Sequence, residues 1–312
     1  MIWANLLHLS VNMWLDTPPR FAEELRFDEP LWNELTERMA ETGFTMVIID
    51  LGDGVLWDSH PEIAVRNAWT PDRLAEELVR LRGLGLEAIP KFNFSAGHDA
   101  WLKEYSRQVS TPVYYEVCRD LINEAAAIFQ TPRFFHIGMD EETASDQRRL
   151  QIAVMRQHDL WWHDLELLAG CVEAAGCRPW VWSDPAWRHP EDYFTRMPKS
   201  ILQSNWYYQL EFPELEGPRP RVLGPGEYHL TYRDLDDHGF EQVPTGSTWT
   251  GVENFGRTVD YCRKYLDPDR ILGFMQTPWK MTELGHRDIH LSAIEAVRQA
   301  KEAWDSGRPC NV

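Results

Sequence analysis

The sequence predicts a (β/α)8 barrel, one domain spanning residues 1–312, on three observations. Eight short runs rich in β-branched and aromatic residues recur along the chain, and longer amphipathic stretches alternate with them. A length of 312 residues is what eight such βα units require. A doubly wound sheet is the competing arrangement, but no glycine-rich phosphate loop follows the first run.

The strand candidates in order are residues 5–12 (NLLHLSVN), 45–51 (TMVIIDL), 86–94 (LEAIPKFNF), 133–139 (RFFHIGM), 179–184 (PWVWSD), 200–206 (SILQSNW), 240–248 (FEQVPTGST) and 271–277 (ILGFMQT). Helices are expected at 30–42, 70–84, 111–130, 148–176, 255–266 and 288–305, with a short one at 190–197. Thr70 before Pro71 and Thr111 before Pro112 are N-cap signals: a hydroxyl to satisfy free helix N–H groups, then a proline that needs none satisfied. The stretch 207–239, rich in Pro, Gly and acidic residues, reads as a long loop excursion between strands six and seven.

Composition narrows the function. Lys and Arg number 31 against 49 Asp and Glu, a net charge of −18 that repels nucleic-acid backbones and anionic membranes. No apolar run approaches the length of a membrane span, and the N-terminus has no basic, signal-like segment. The five cysteines form no CxxC pair, which argues against a zinc ribbon or a disulfide framework and for a reducing, cytoplasmic setting. The 15 Trp exceed what packing requires and suggest flat apolar faces for a ligand.

In a barrel of this kind the site lies at the C-terminal ends of the strands. There the sequence places Asn12 and Trp14; Asp50, Asp53 and Trp57; Asn93, His98 and Trp101; His136, Asp140, Glu141 and Glu142; Trp182, Asp184 and Trp187; Trp206 and Tyr207; Trp249 and Glu253; Trp279 and Glu283. Seven strand ends carry a Trp and the eighth carries adjoining carboxylates. Indole faces stack on the C–H surface of a pyranose and carboxylates bind its hydroxyls, so a carbohydrate substrate is expected. Trp3, Trp32, Trp161, Trp162 and Trp304 are assigned instead to packing between barrel and helices.

The segment FFHIGMDEET (134–143) sharpens this. Strand alternation points His136, Gly138 and Asp140 inward, Gly138 makes room, and Glu141 sits in the turn above, so that Asp140 and Glu141 reach one ligand. Neighbouring carboxylates push their proton affinities apart, which lets one act as acid while the other stays anionic. The segment resembles the H-x-G-G-D-E signature of family 20 glycoside hydrolases, the β-N-acetylhexosaminidases, with Met139 in place of the second glycine. AIPKFNFSAGHDAWL (88–102) is similar to that family's strand-three segment through Gly97 and His98, WVWSDPAW (180–187) to its strand-five segment, and ILQSNW (201–206) to its strand-six Q-S-W. The resemblance covers roughly residues 86–206.

It implies a retaining, substrate-assisted hydrolysis in which the substrate's 2-acetamido oxygen attacks the anomeric carbon. Asp140 would orient that group and Glu141 would protonate the leaving oxygen, with no metal and no cofactor. Trp182, Trp206 and Trp279 would wall the sugar pocket, with His98, His136, Asp184 and Trp249 as further substrate contacts. The chain departs from the family at several points. His8, Ser10 and Asn12 stand where a strand-one Arg is usual, Lys91 and Asn93 where Glu and Asp are usual, and Trp249 where a strand-seven Tyr holds the acetamido oxygen. The family's accessory N-terminal domain has no counterpart before the first strand.

Plainer roles exist beside these. Asp140–Glu142 could open a helix, His98 and His136 could be core histidines, Asp184 could cap a strand end, and Glu253 a helix. Two rival functions remain: a double-displacement glycosidase with Glu253 as nucleophile, and a catalytically silent carbohydrate-binding barrel.

Overall fold

The computed structural model describes residues 1–10, 12, 21–148, 153–215 and 217–310. Eight parallel strands form the barrel: β1 (Ile2–His8), β2 (Met46–Asp50), β3 (Glu87–Lys91), β4 (Phe134–His136), β5 (Arg178–Trp182), β6 (Leu202–Ser204), β7 (Thr245–Ser247) and β8 (Gly273–Thr277). The ladder runs β6-β5-β4-β3-β2-β1-β8-β7. The seam between β6 and β7 is closed by bridges from Gln203 to Gln242 and from Trp206 to Thr245. The helices are α1 (Glu29–Glu41), α2 (Pro71–Gly83), α3 (Pro112–Ile128), α4 (Asp159–Ala174), α5 (Pro190–Arg196), α6 (Leu230–Asp237), α7 (Glu253–Tyr265) and α8 (Arg287–Asp305).

Strand alternation divides the core in two. Ile2, Ala4, Leu6, Met46, Ile48, Ile89, Phe134, Trp180, Trp182, Leu202, Val243 and Met275 fill the barrel interior. The intervening residues, Trp3, Leu7, Val47, Ile49, Phe135 and Val181 among them, pack outward against the helices with Trp32, Trp161 and Trp162. The Thr70 and Thr111 hydroxyls accept from the N–H groups of Arg73 and Tyr114, as the cap signals predict.

The observed strands are mostly shorter than expected, and four of the differences from expectation have identifiable reasons. β1 begins at Ile2 and ends at His8, after which Leu9 and Ser10 N–H converge on the one Asp50 carbonyl, at 2.9 and 3.4 Å, and the ladder stops. β7 is regular only over 245–247, since Pro244 has no N–H to donate to a ladder. The helix expected at 148–176 starts at Asp159: Arg156 is drawn into a buried ion cluster, and His158 enters α4 with a φ of 53°. Residues 149–152 of that expected helix lie outside the described residues. The excursion 207–239 contains α6, whose inner face buries Leu230, Tyr232 and Leu235. No helix among the described residues is long and apolar enough to cross a membrane.

Candidate active site

The turn after β4 carries Asp140 and Glu141 in an unusual backbone. Gly138, Met139 and Glu141 all have positive φ, at 74°, 75° and 54°, a conformation costing a non-glycine residue roughly 1–2 kcal/mol. The neighbouring loops supply what holds it. Gly138 N–H donates to His136 Nδ1 at 3.1 Å, Asp140 N–H to Ser95 Oγ at 2.8 Å, and Glu141 N–H to Asp184 Oδ2 at 2.9 Å. The Ser95 hydroxyl lies between Asp140 Oδ1 and Asn93 Oδ1. Asn93 in turn occupies the space over Gly138, where an added Cβ would meet both its Oδ1 and, at 2.9 Å, its Cγ. The glycine's role as a space-maker is therefore literal: its missing side chain lets Asn93 and Ser95 reach Asp140.

His98 Nε2 approaches Glu141 Oε2 at 2.9 Å and Asp140 Oδ2 at 3.8 Å. Burial disfavours charge on this imidazole, but the Asp140 and Glu141 carboxylates outweigh it and hold His98 up to about 9. The three groups offer ligand atoms all within 4.8 Å of one another, a spacing that could also hold a metal ion. At neutral pH the imidazolium already supplies a positive charge there. Glu142 plays a different part. Its side chain is 4% exposed and pairs with Arg156, which also reaches Asp164 at 3.1 Å and the Phe94 carbonyl at 2.7 Å. It ties the β4 loop to the β3 loop and to α4.

Below the carboxylates the barrel interior is charged. Lys91, fully buried, places Nζ 2.6 Å from Asp50 Oδ2, with His8 Nδ1 at 3.4 Å from the same oxygen. Burial alone would raise Asp50, but Lys91 and His8 hold it down at about 2. Beside it, burial pushes Asp53 up to about 6 despite its bonds from Ser10 and Asn12. Burial and the Asp140 charge raise Asp184 well above the usual carboxyl range.

Asp140, Glu141, His98, Asn93 and His8 form one end of a cavity of about 750 Å³, lined also by Trp206, Tyr208, Trp249, Trp279, Lys280 and Arg26. The Trp206 and Tyr208 rings stack at 5.0 Å, and Trp279 Nε1 donates to the Tyr208 hydroxyl at 3.0 Å. Tyr208 was not singled out in the sequence. It follows Trp206 by two residues, and that spacing on one strand end was the available signal.

The residues expected at the site separate into three groups. Asp140, Glu141, His98, Trp206, Trp249 and Trp279 line the cavity. His136 and Trp182 lie beneath it: both are 0% exposed, their rings 4.5 Å apart, with Trp182 6.0 Å from Trp279. Burial holds His136 well below the usual histidine range, so it is a neutral support for the turn. Asp184 is buried and spends Oδ2 on the Glu141 backbone. Glu253 opens α7 and faces α8, lining a separate groove with Gly256, Glu295 and Gln299. Trp14 lies outside the described residues.

The ring of strand-end tryptophans also divides. Trp57, Trp101 and Trp187 are buried, and their indole N–H groups donate to the Gly52 carbonyl, the Asn93 carbonyl and Asn205 Oδ1 at 3.1, 3.0 and 2.8 Å. They fasten the βα loops from within, a packing use of indole that the strand-end count does not distinguish from ligand stacking.

The solved structures that this chain resembles include family 20 β-N-acetylhexosaminidases. A β-N-acetylhexosaminidase from Bacteroides fragilis matches with a TM-score of 0.65 at 12% identity, over 95% of this chain and 65% of that one. Streptomyces plicatus N-acetyl-β-hexosaminidase matches at 0.64 and 14%, over 97% and 65%, and Flavobacterium johnsoniae chitobiase at 0.64 and 16%, over 94% and 47%. The chain thus spans from about half to just under two thirds of the length of these structures. At such identities the likeness is one of fold. No protein-family model and no curated protein sequence matches the chain.

Proposed function

We propose that this barrel is a glycoside hydrolase that removes a terminal β-linked N-acetylhexosamine by substrate-assisted retention. The observation that carries the reading is the juxtaposition of Asp140, Glu141 and His98 at the polar end of an aromatic-walled cavity. The fold likeness to family 20 hexosaminidases, one of them solved with its product N-acetylglucosamine, supports it.

In this mechanism the acetamido carbonyl oxygen bonds to the anomeric carbon while the glycosidic C–O bond breaks and Glu141 passes its proton to the leaving oxygen. The developing positive charge on the acetamido nitrogen meets Asp140, which Ser95 fixes in place. The proton delivered is the one that the Glu141–His98 pair holds between groups 2.9 Å apart, and its transfer leaves a Glu141 carboxylate beside a neutral imidazole. A water then attacks the anomeric carbon, giving its proton back to Glu141 and restoring the acetamido group. Tyr208 takes the place of the strand-seven tyrosine that the resemblance leads one to seek. Its oxygen accepts from Trp279 Nε1 at 3.0 Å, and its own O–H is the group that donates to the acetamido carbonyl. The double-displacement alternative loses its nucleophile, because Glu253 opens into the α7–α8 groove.

The test is hydrolysis of 4-nitrophenyl N-acetyl-β-glucosaminide and the galactosaminide, with Glu141→Gln as control. Turnover that Glu141→Gln abolishes upholds the assignment. Turnover that survives it removes Glu141 as the acid, and sugar binding without any turnover in the native protein favours the silent barrel.

A further inference from the structure

The cavity is larger than one sugar requires, and its outer end has a chemistry of its own. Trp249, on the loop after β7, is 66% exposed, the most exposed large apolar side chain of the described residues. Its ring borders the cavity mouth, and the Lys280 ammonium lies 5.8 Å from its centroid. The other charges of this rim are spoken for: Arg26 holds Glu283 at 2.8 Å, and Glu24 holds Arg66 at 2.8 Å. Among the described residues Lys280 has no such carboxylate, only the Trp249 ring. Lys280 is thus a rim cation with no carboxylate partner among the described residues, in a chain of net charge −18.

An exposed indole and an ammonium poised over its ring, 5.8 Å from the centroid, form a matched pair. The indole stacks on the C–H face of a pyranose, and a carboxylate or sulfate on that ring's edge falls between the ring and Lys280. We propose that Trp249 and Lys280 form a subsite for an anionic sugar, a uronate or a sulfated hexose, joined to the N-acetylhexosamine held at Asp140 and Glu141. The proposal rests on the hydrolase reading for where the second ring is placed and deepens it by naming the substrate class.

Binding is measured by calorimetry on the Glu141→Gln protein with three probes: N-acetylglucosaminyl-β-1,4-glucuronic acid, its neutral glucose counterpart, and that counterpart bearing a 6-sulfate. At low salt a charged probe binds more tightly than the neutral one by about tenfold or more, the scale of one charge-assisted contact. That ratio falls towards one in Lys280→Met and at high salt, and is retained in Lys280→Arg. Whichever of the uronate and the sulfate holds the advantage names the anion. Equal binding of charged and neutral probes overturns the subsite, as does a charge preference that Lys280→Met leaves intact. If the native protein hydrolyses the nitrophenyl substrate while no charge preference is seen, the subsite fails and the hydrolase reading stands. If the preference is seen but nothing is hydrolysed, the hydrolase reading fails and the subsite stands.

Discussion

Replacing Gly138 by alanine tests how the turn after β4 is built. A Cβ there must be accommodated at φ 74° and must displace Asn93, whose Cγ it would approach to 2.9 Å. The left-handed conformation costs roughly 1–2 kcal/mol, and forcing a group into a filled space adds roughly 1–3 kcal/mol. The total of about 2–5 kcal/mol corresponds, at about 2 °C per kcal/mol for a chain this size, to a fall in melting temperature of about 4–10 °C. Activity falls further than stability, because Asn93 positions Ser95 and Ser95 positions Asp140. Differential scanning calorimetry and the nitrophenyl assay measure the two effects. Asn93→Ala provides the cross-check: in the double variant most of the steric part of the penalty disappears, leaving only the Asn93 Cα at 3.1 Å, so the stability losses are less than additive, while activity stays low. A Gly138→Ala protein with native melting temperature and native turnover would refute this account of the turn.

Other outcomes follow from the same geometry. Asp184→Ala frees the Glu141 backbone from its only described carboxylate partner, so kcat falls about tenfold or more while KM for the nitrophenyl glycoside changes little. The Arg156→Met variant leaves Glu142 and Asp164 buried without their cation and is destabilised by about 3–5 kcal/mol, measured by denaturant unfolding. The His98 imidazolium is favoured in the folded state, with its pKa raised to about 9 from 6.5. Its contribution is therefore fully present below pH 6.5 and lost as pH rises through about 9. The melting temperature of the native protein accordingly declines more steeply across that window than that of His98→Gln.

The barrel was legible because its evidence is repeated: eight strand runs, each with inward and outward apolar faces, and caps such as Thr70 and Thr111 that need only local chemistry. What was hidden depended on long-range contacts. The start of α4 is set by Arg156 reaching Glu142, fourteen residues back, and no periodicity in the DQRRLQIAVMRQH stretch records that. At the site, Asp140, Glu141 and His98 were visible because their chemistry and their strand-end positions coincide. The tryptophans were only half legible: Trp206, Trp249 and Trp279 face the cavity, whereas Trp57, Trp101 and Trp187 sit equally close to strand ends and turn inward to bond the loops. Tyr208 escaped notice because it lies in a segment whose path is fixed by α6 and by Asn254, whose side-chain amide donates to the carbonyls of Tyr207 and Gln209 at 3.0 and 2.8 Å.

The central claim is that the substrate's own acetamido group, oriented by Asp140, acts as the nucleophile. Its most direct test is the ratio of kcat/KM for 4-nitrophenyl N-acetyl-β-glucosaminide to that for 4-nitrophenyl β-glucoside, which has a hydroxyl in place of the acetamido group. The account predicts a preference of about a thousandfold or more, since covalent participation is lost with the acetamido group and no protein nucleophile replaces it. Comparable rates on the two substrates would contradict it.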